Sequence, residues 1–320
     1  ALGSAARGGR VAAKREIAMS RTKPAVALVA VPGRRRRMIE AAQEIERRGY
    51  AGLFCPSLGA NMSLCEALAW HTTTIPFCTA IAPIYARTVS DFAASGAFMH
   101  EVSGGRFSLG IGIAHGPSHV RMGVVPGKPL ADTRGFVERY QAQEGLGPLA
   151  PVVLAAMRTR MVALAGEISQ GVIFANACLS HMRTSLAALP EGKRADPGFM
   201  IADMIPTCIS DDLAAAKAVN RRTLTSYAFL PNYRNYWKEA GYEQEMVDIE
   251  TAIDQGRRDD VPKMLTDRWL ADVTLFGTAN QVREKVEAWE DAGVRSVVLV
   301  PSSAAGNQLV AMQEMFATFG

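Results

Sequence analysis

In the stretch Val102-Ser-Gly-Gly-Arg-Phe-Ser-Leu-Gly-Ile-Gly-Ile-Ala-His-Gly116, we expect a helix end, a turn, a buried strand and a loop, in that order. Gly104 and Gly105 can adopt the left-handed backbone that closes a helix. Residues 107–113 form a short apolar run, typical of a strand covered on both faces. His115 follows this strand at its carboxyl end, where α/β proteins commonly bind their ligands.

Gly110 and Gly112 interrupt the apolar run, and glycine inside a strand usually marks a bulge or a close approach by another group. The two glycines also resemble the start of a dinucleotide-binding fingerprint, but His115 stands where the third glycine should be. Such a site needs a helix that opens directly from the turn, and Pro117 and Gly123 argue against that helix. The sequence therefore disfavours a dinucleotide site.

The order of helix end, glycine, short apolar strand and loop recurs along the chain, as is typical of parallel β/α architecture. The eight predicted strands are residues 25–31, 52–55, 77–82, 107–113, 152–156, 171–175, 200–209 and 297–300. Eight such units predict an α/β fold, a single closed (β/α)8 TIM barrel, with an open doubly wound sheet as the alternative. Residues 227–272 are too long for a plain loop and predict a helical insertion before the last unit.

Composition and charge restrict the class of protein. Of the net charge of +4, the first 23 residues contribute six basic side chains against one acidic, which leaves 29 basic against 30 acidic in the rest. No basic field is therefore expected to attract nucleic acid. No apolar run reaches the roughly 18 residues of a membrane span. Five scattered cysteines are typical of reduced thiols in a cytoplasmic protein.

The domain organisation is expected to be simple. Residues 1–22 are rich in Ala, Gly and Arg and are predicted to be a disordered extension. Met19 resembles a native start, so residues 1–18 are expected to precede the native chain. Residues 23–320 are predicted to form one barrel domain.

The predicted strand ends are mostly small or apolar, which suits a flat ring better than a metal or a hydrolytic triad. Met157, Arg158 and Thr159 begin a helix directly after a strand, so free backbone N–H groups and a hydroxyl can bind an anion there. Simple capping of the helix by Thr159 is the alternative. Asn176 and Ala177, after the next strand, could add donors.

His115 and His119 are four residues apart, which suggests a metal site. Gly116 and Pro117 lie between them and no acidic third ligand is close in sequence, so no metal is predicted. His115 alone could donate a proton or a hydrogen bond to a ring. A structural role in the loop is the alternative.

Five segments, in register between about residues 24 and 301, resemble the bacterial-luciferase-like superfamily, most closely its coenzyme F420-dependent oxidoreductases. They are residues 79–87 (third strand), 105–117 (fourth strand), 127–130 (a loop), 151–167 (fifth strand and helix) and 276–294 (final unit). The resemblance implies a TIM barrel that binds a flavin or deazaflavin at its carboxyl-end mouth and that commonly forms a homodimer.

The resemblance also implies positions for the cofactor site. A cis peptide bond not involving proline lies behind the ring in the family, and here it falls at Ala80-Ile81. The cofactor phosphate is held after strands five and six. The residues expected around the cofactor are Ala80, Ile81, Ala82, His115, Gly116, Lys128, Met157, Arg158, Thr159, Asn176 and Ala177.

Two cofactors are compatible with this resemblance. FMN can pass single electrons and activate oxygen, whereas F420 is in practice a hydride carrier with an acidic oligoglutamyl tail. The arginines at residues 34–37, with Arg121 and Lys128, could meet that tail, which favours F420. The expected reaction is hydride transfer between the deazaflavin C5 and a small organic substrate, with His115 as polar partner. The alternatives are an FMN-dependent monooxygenase and a barrel that binds flavin without turnover.

Overall fold

The computed structural model describes residues 23–58 and 60–320, so the prediction of a disordered extension at residues 1–22 lies outside the described residues. The strands of the described part form one sheet and pair in parallel throughout. They are β1 (Ala25–Ala27), β2 (Leu53–Cys55), β3 (Phe77–Thr79), β4 (Ala82–Pro83), β5 (Phe107–Gly112), β6 (Val152–Ala155), β7 (Gly171–Ala175), β8 (Met200–Ile209), β9 (Leu275–Gly277) and β10 (Ser296–Ser302).

The sheet closes into the predicted barrel. Strand order runs β10-β1-β2-β3-β5-β6-β7-β8, and β8 then pairs with β10 over seven residues. These eight strands are a closed ring, so the (β/α)8 prediction is confirmed and the open-sheet alternative is wrong. The short strands β4 and β9 pair with β5 and with the end of β8, respectively.

Helices surround the ring. They are α1 (Arg35–Arg47), α2 (Asn61–His71), α3 (Val89–Val102), α4 (Gly116–Met122), α5 (Pro129–Gln141), α6 (Thr159–Ile168), α7 (Met182–Leu186), α8 (Glu191–Ala195), α9 (Leu213–Ala228), α10 (Pro231–Glu239), α11 (Glu243–Asp254), α12 (Val261–Met264), α13 (Asp267–Val273), α14 (Ala279–Asp291) and α15 (Gln308–Phe319). Helices α10 to α13 are the predicted insertion. No helix in the described ranges has the length and apolarity needed to cross a membrane.

Two apolar layers stabilise the barrel. On β8, Ala202 and Met204 pack with the small cluster inside the ring, while Ile201 and Ile205 pack with the large cluster under the helices. This alternation follows from the two-residue period of a strand. It decides which side chains can reach the interior and which face the helices.

Gly110 confirms the expected close approach within β5. A Cβ atom on Gly110 would lie 1.9 Å from the carbonyl oxygen of Thr79, and the Thr79 hydroxyl donates to the Gly110 carbonyl at 2.7 Å. Only glycine allows this contact, because a side chain would displace backbone. The contact lies where β3 ends and the chain bulges before β4, so the third strand is interrupted rather than continuous from 77 to 82 as predicted.

Four elements were not predicted: β9, α4, the short helix α8 and the last helix, α15. The three-residue strand β9 precedes α14, where the sequence indicated only the helix. Helix α4 opens at Gly116, directly after the turn, where no helix was expected. Pro117 stands in its first turn, which suits proline, and Gly123 (φ 65°) takes the left-handed cap. The prediction that Pro117 and Gly123 prevent a helix here is therefore wrong.

Candidate functional site

The carboxyl ends of the barrel strands form a mouth of small apolar groups. Ile81, Ala155, Ala175 and Val300 are each partly exposed there. A Cβ atom on Gly112 would lie 3.0 Å from the Ala155 Cβ and 3.2 Å from Ile81, so glycine leaves the space between these two side chains free. A shallow apolar surface of this kind fits the face of a flat ring system.

The third strand passes behind this mouth. The Ala80–Ile81 peptide bond is cis, at the position that the family resemblance implied. Ala80 and Ala82 are buried, and the Ala80 N–H donates to the Cys55 carbonyl oxygen at 2.7 Å. The Asn61 amide donates to the Ile81 carbonyl at 3.1 Å, so α2 fixes the backbone of the bulge.

His115 occupies the N-cap position of α4, where its side chain makes no capping hydrogen bond. Its Nδ1 is buried and has no hydrogen-bond partner among the described residues. Burial, and secondarily His119, lowers the pKa of His115. The ring lies 5.5 Å from that of Tyr233 in the insertion. A neutral imidazole with a spare nitrogen therefore stands at the end of β5, able to accept or donate one hydrogen bond.

His119 has a structural environment. Its Nε2 lies 2.7 Å from the Ile113 carbonyl, which can only accept, so this nitrogen carries the proton. The Tyr85 ring packs edge-on at 5.6 Å. Within the described chain, no three His, Cys, Asp or Glu side chains are grouped closely enough to hold a metal ion.

The start of α6 is exposed and uncapped. Arg158 takes the N-cap position without a capping side-chain hydrogen bond, and Thr159 is the first helical residue. The alternative that Thr159 simply caps the helix is therefore wrong. The first internal bonds are donated by Met161 and Val162, so among the described residues the N–H groups of Thr159 and Arg160 have no partner at the positive helix end. A helix start of this kind can bind an anion, and its role as the phosphate site stays a prediction.

Side chains from α10, outside the barrel, form hydrogen bonds with the turn after β7. Asn176 has a left-handed backbone (φ 59°), and both it and Ala177 are buried. The Trp237 indole donates to the Asn176 carbonyl at 3.0 Å, and the Cys178 N–H donates to the Tyr236 hydroxyl at 3.2 Å. The insertion helix α10 thus occupies backbone groups of this turn. The roles of Asn176 and Ala177 in cofactor binding stay predictions.

The turns after β6 and β7 are neighbours. The sulfur of Met157 accepts the Ala175 N–H at 3.5 Å. Arg158 reaches across to Glu239 at the end of α10, with its Nε 2.7 Å from the carboxylate. Both partners are exposed, so the ion pair contributes little stability and leaves Arg158 free to exchange partners.

Lys128 lies exposed at the N-cap of α5. The preceding Gly127 donates its N–H to Asp132 at 2.8 Å, and the Tyr85 hydroxyl donates to the same carboxylate at 2.5 Å. Burial, and then Asp132, raises the pKa of Tyr85 to about 12. Asp132 therefore ties the loop that presents Lys128 to the segment after β4.

Sequence reasoning missed the insertion's contribution to the site. Tyr227, Tyr233 and Trp237 form a chain of ring contacts of 5.0 and 5.5 Å that ends at His115. The aromatic content of the insertion was visible, but its contact with β5 depends on the fold. Asp203 was also missed, although a lone acidic residue within an apolar strand is a signal in itself.

The structure brings most of the predicted residues to one end of the barrel, since they follow the carboxyl ends of parallel strands directly, whereas Lys128 lies beyond α4. Together these features define a (β/α)8-barrel enzyme with an apolar mouth and an uncapped helix start at its rim. The chain belongs to the luciferase-like monooxygenase family, whose model matches residues 17–144 and 139–296. It is an oxidoreductase.

Known proteins with similar sequences and structures include both cofactor types. A Mycobacterium tuberculosis protein, assigned by inference as a coenzyme F420-dependent oxidoreductase, is 28% identical over 74% of this chain and 83% of its own. The F420-dependent tetrahydromethanopterin reductase of Methanopyrus kandleri superposes with a TM-score of 0.74 at 17% identity, covering 94% of this chain and 100% of that one. The oxygenating constituent of 3,6-diketocamphane monooxygenase from Pseudomonas putida, in complex with FMN, has a TM-score of 0.56 at 16% identity, over 87% and 92%.

Proposed function

We propose that the protein is an F420-dependent oxidoreductase that transfers a hydride between the deazaflavin and a small organic substrate. The observation that carries the proposal is the uncapped, exposed start of α6 beside an apolar mouth. A relative assigned to F420 and the reductase of similar fold support the choice of cofactor. When bound, the deazaflavin would supply a carbon that accepts or donates a hydride.

The chain's own residues would bind the cofactor and orient its ring. The N–H groups of Thr159 and Arg160 and the side chain of Arg158 would hold the phosphate. Ile81, Ala155 and the open space at Gly112 would support the ring and keep water from one of its faces. Positioning of this kind is the main contribution that a protein makes to cofactor-borne hydride transfer.

His115 is the proposed polar partner of the substrate or the ring. Its unpartnered Nδ1 can bind a polar group without first breaking a protein hydrogen bond. Because burial lowers its pKa, the ring is neutral near pH 7 and keeps one donor and one acceptor. It can therefore hold a hydroxyl or carbonyl oxygen, or take up a proton at one nitrogen.

The acidic tail of F420 has a suitable surface. The four arginines at residues 34–37 are exposed at the start of α1, which follows β1 at the same end of the barrel, and that helix has no acidic residue in its first turn. Arg121 on α4 and Lys128 at the start of α5 are also exposed. FMN, which has no such tail, stays the alternative, favoured by the FMN-bound monooxygenase of similar fold.

A homodimer is the proposed assembly. Trp70 on α2 and Phe98 on α3 are exposed by 64% and 47%, with their rings 6.4 Å apart. Adjacent exposed aromatic rings on two packed helices are typical of a protein interface.

The five cysteines are free and buried, which supports the expected cytoplasmic location.

Titration of the purified protein with each cofactor tests the proposal. We expect F420 to bind, with a deazaflavin band at ~420 nm, and FMN to bind more weakly. The band should be lost when an alcohol gives its hydride to the oxidised cofactor, and it should return when the reduced cofactor gives a hydride to an imine or enone. Preference for FMN with oxygen consumption would establish the monooxygenase alternative. Binding of either without turnover of any alcohol, imine or enone tested would favour the non-catalytic barrel.

A further inference from the structure

A carboxyl group lies buried behind the turn that follows β7. Asp203 is on β8 between Ala202 and Met204, which face the barrel interior, so its side chain points outward, beneath the insertion. It is 0% exposed, and within the described chain neither oxygen has a well-aligned hydrogen bond or an ion-pair partner. A buried carboxylate without a partner is costly, so its presence needs an explanation.

The surroundings of Asp203 favour the protonated form without enforcing it. Burial raises the pKa of Asp203 to about 7, although the N–H groups of Ala177 and Met204 face the carboxyl and oppose the shift. The protein thus holds a group in its interior that changes charge near neutral pH. Its state depends on any further charge placed nearby.

The ionisable side chains around Asp203 do not titrate with it. Tyr233 and Tyr236 of α10 and Cys178 of the turn each have a pKa raised by burial, so all three stay neutral near pH 7. Burial lowers the pKa of His115, whose ring contacts Tyr233. Two further ionisable side chains contact Cys178 and Tyr236. They are Asp272 of α13, beside Cys178, and His181, whose ring lies 5.8 Å from that of Tyr236.

The carboxyl is linked to the anion site through two short contacts. The Asn176 N–H donates to the Met204 carbonyl at 3.1 Å, which joins the turn after β7 to the strand of Asp203. The Ala175 N–H donates to the sulfur of Met157 at 3.5 Å, which joins that turn to the start of α6. Two strand spacings separate β8 from β6, and Asp203 is level with Ala156, three residues before Thr159, so the carboxyl lies roughly 10–15 Å from the free N–H groups.

We propose that Asp203 couples the binding of an anionic cofactor at the start of α6 to the uptake of one proton in the protein interior. The inference rests on the proposed function, since the anion is the cofactor phosphate. A bound anion disfavours the ionised carboxyl, and by reciprocity the protonated carboxyl strengthens anion binding. At ~10–15 Å and an effective dielectric of ~20, the repulsion corresponds to roughly a tenfold change in affinity.

The test compares cofactor dissociation constants of the wild type and Asp203→Asn between about pH 6 and pH 8.5. We expect the affinity of the wild type to fall about tenfold relative to the variant as pH rises, because Asn is neutral throughout. Ionisation of the cofactor itself affects both dissociation constants equally, so it cancels in the ratio of wild type to variant. The control His181→Gln should keep the wild-type pH dependence. A ratio that does not change with pH would overturn the inference.

Calorimetry needs only the wild type, so it tests the coupling even if Asp203→Asn does not fold. Binding measured near pH 7.5 in two buffers of different ionisation enthalpy should show net proton uptake, after subtraction of any cofactor ionisation seen by absorbance. No uptake would overturn the coupling while leaving the proposed function intact. Failure of both cofactors to bind at any pH would instead overturn the proposed function, and this inference with it.

Discussion

At the scale of single residues, the two histidines after β5 show how position determines role. His119 uses its Nε2 to hold the Ile113 carbonyl, so its orientation is fixed by the protein itself. His115 has an unpartnered nitrogen at the mouth. The sequence placed both on one loop, but it could not distinguish them, because their partners are a backbone carbonyl and a ring from the insertion.

Replacement of His115 by Gln tests its proposed role. We expect kcat to fall by about 10²-fold or more, in the range typical of general acid–base groups, with cofactor affinity within a few-fold of the wild type. Burial lowers the pKa of His115, so the neutral form is active and wild-type activity should be lost as the pH falls through that lowered pKa. The pH–rate profile of His115→Gln should lack this acid limb. An unchanged kcat would show a structural role only.

Gly110 lies where the backbone of a neighbouring strand leaves no room for a side chain. In Gly110→Ala, the added carbon would lie 1.9 Å from the Thr79 carbonyl oxygen, so the backbone of β3 or β5 must move. We expect a loss of about 3 kcal/mol or more in the free energy of unfolding, measured in urea. The control Gly192→Ala has open space around the new carbon and should change stability by less than about 1 kcal/mol. Equal effects would contradict the packing argument.

At the scale of elements, the clear signals were those that repeat. Helix end, glycine and apolar strand predicted the ring, and the insertion followed from the length of the remaining segment. Irregular elements were less predictable. The break between β3 and β4 depends on a contact with β5, and α4 begins at a Gly-Pro pair that local propensity alone disfavours. In both cases tertiary contacts or capping outweigh propensity.

The start of α6 allows helix stability and cofactor binding to be separated. In Thr159→Asp, a carboxylate enters a first turn that has no acidic residue, so the helix should gain about 0.3–1 kcal/mol from its dipole. The same charge repels a phosphate, and we expect cofactor affinity to fall about tenfold or more. Thr159→Ala, which removes only the hydroxyl, is the matched control for both measurements. Unchanged affinity in Thr159→Asp would place the phosphate elsewhere.

The surface formed by α2 and α3 gives a test of assembly. We expect the wild type to sediment as a dimer and Trp70→Glu as a monomer, because the charge would be buried against a second copy. The control Val125→Glu changes a residue that is 94% exposed on a loop after α4, and it should leave the dimer intact. A wild type that is monomeric at all concentrations would contradict the proposed interface.

At the scale of the whole molecule, closure of the ring decides where chemistry can occur. Because all eight strands are parallel, their carboxyl ends meet at one mouth, and the predicted residues converge there although they are far apart in sequence. This convergence was predictable once eight units were counted. The buried acid on β8 was not, since its partners come from the turn after β7 and from the insertion.

Asp203 should also govern how the stability of the whole protein depends on pH. Its folded-state pKa of about 7 exceeds the unfolded value of 3.8, so the folded state binds the extra proton and stability falls as pH rises between these values. Relative to Asp203→Asn, the wild type should lose about 2.5 kcal/mol between pH 5 and pH 8. Urea unfolding of both apo proteins across this range measures it. A constant difference would mean that Asp203 does not titrate near neutrality.

The hydrogen bonds between α10 and the turn after β7 restrict how the protein can be engineered. Trp237 and Tyr236 satisfy backbone groups of residues that border the rim, so the insertion is a structural part of the catalytic scaffold. A chimera that imports this segment from a homologue would have to reproduce an indole donor and a phenol acceptor at matching positions. Without them, the recipient barrel would keep its ring but lose the shape of its rim.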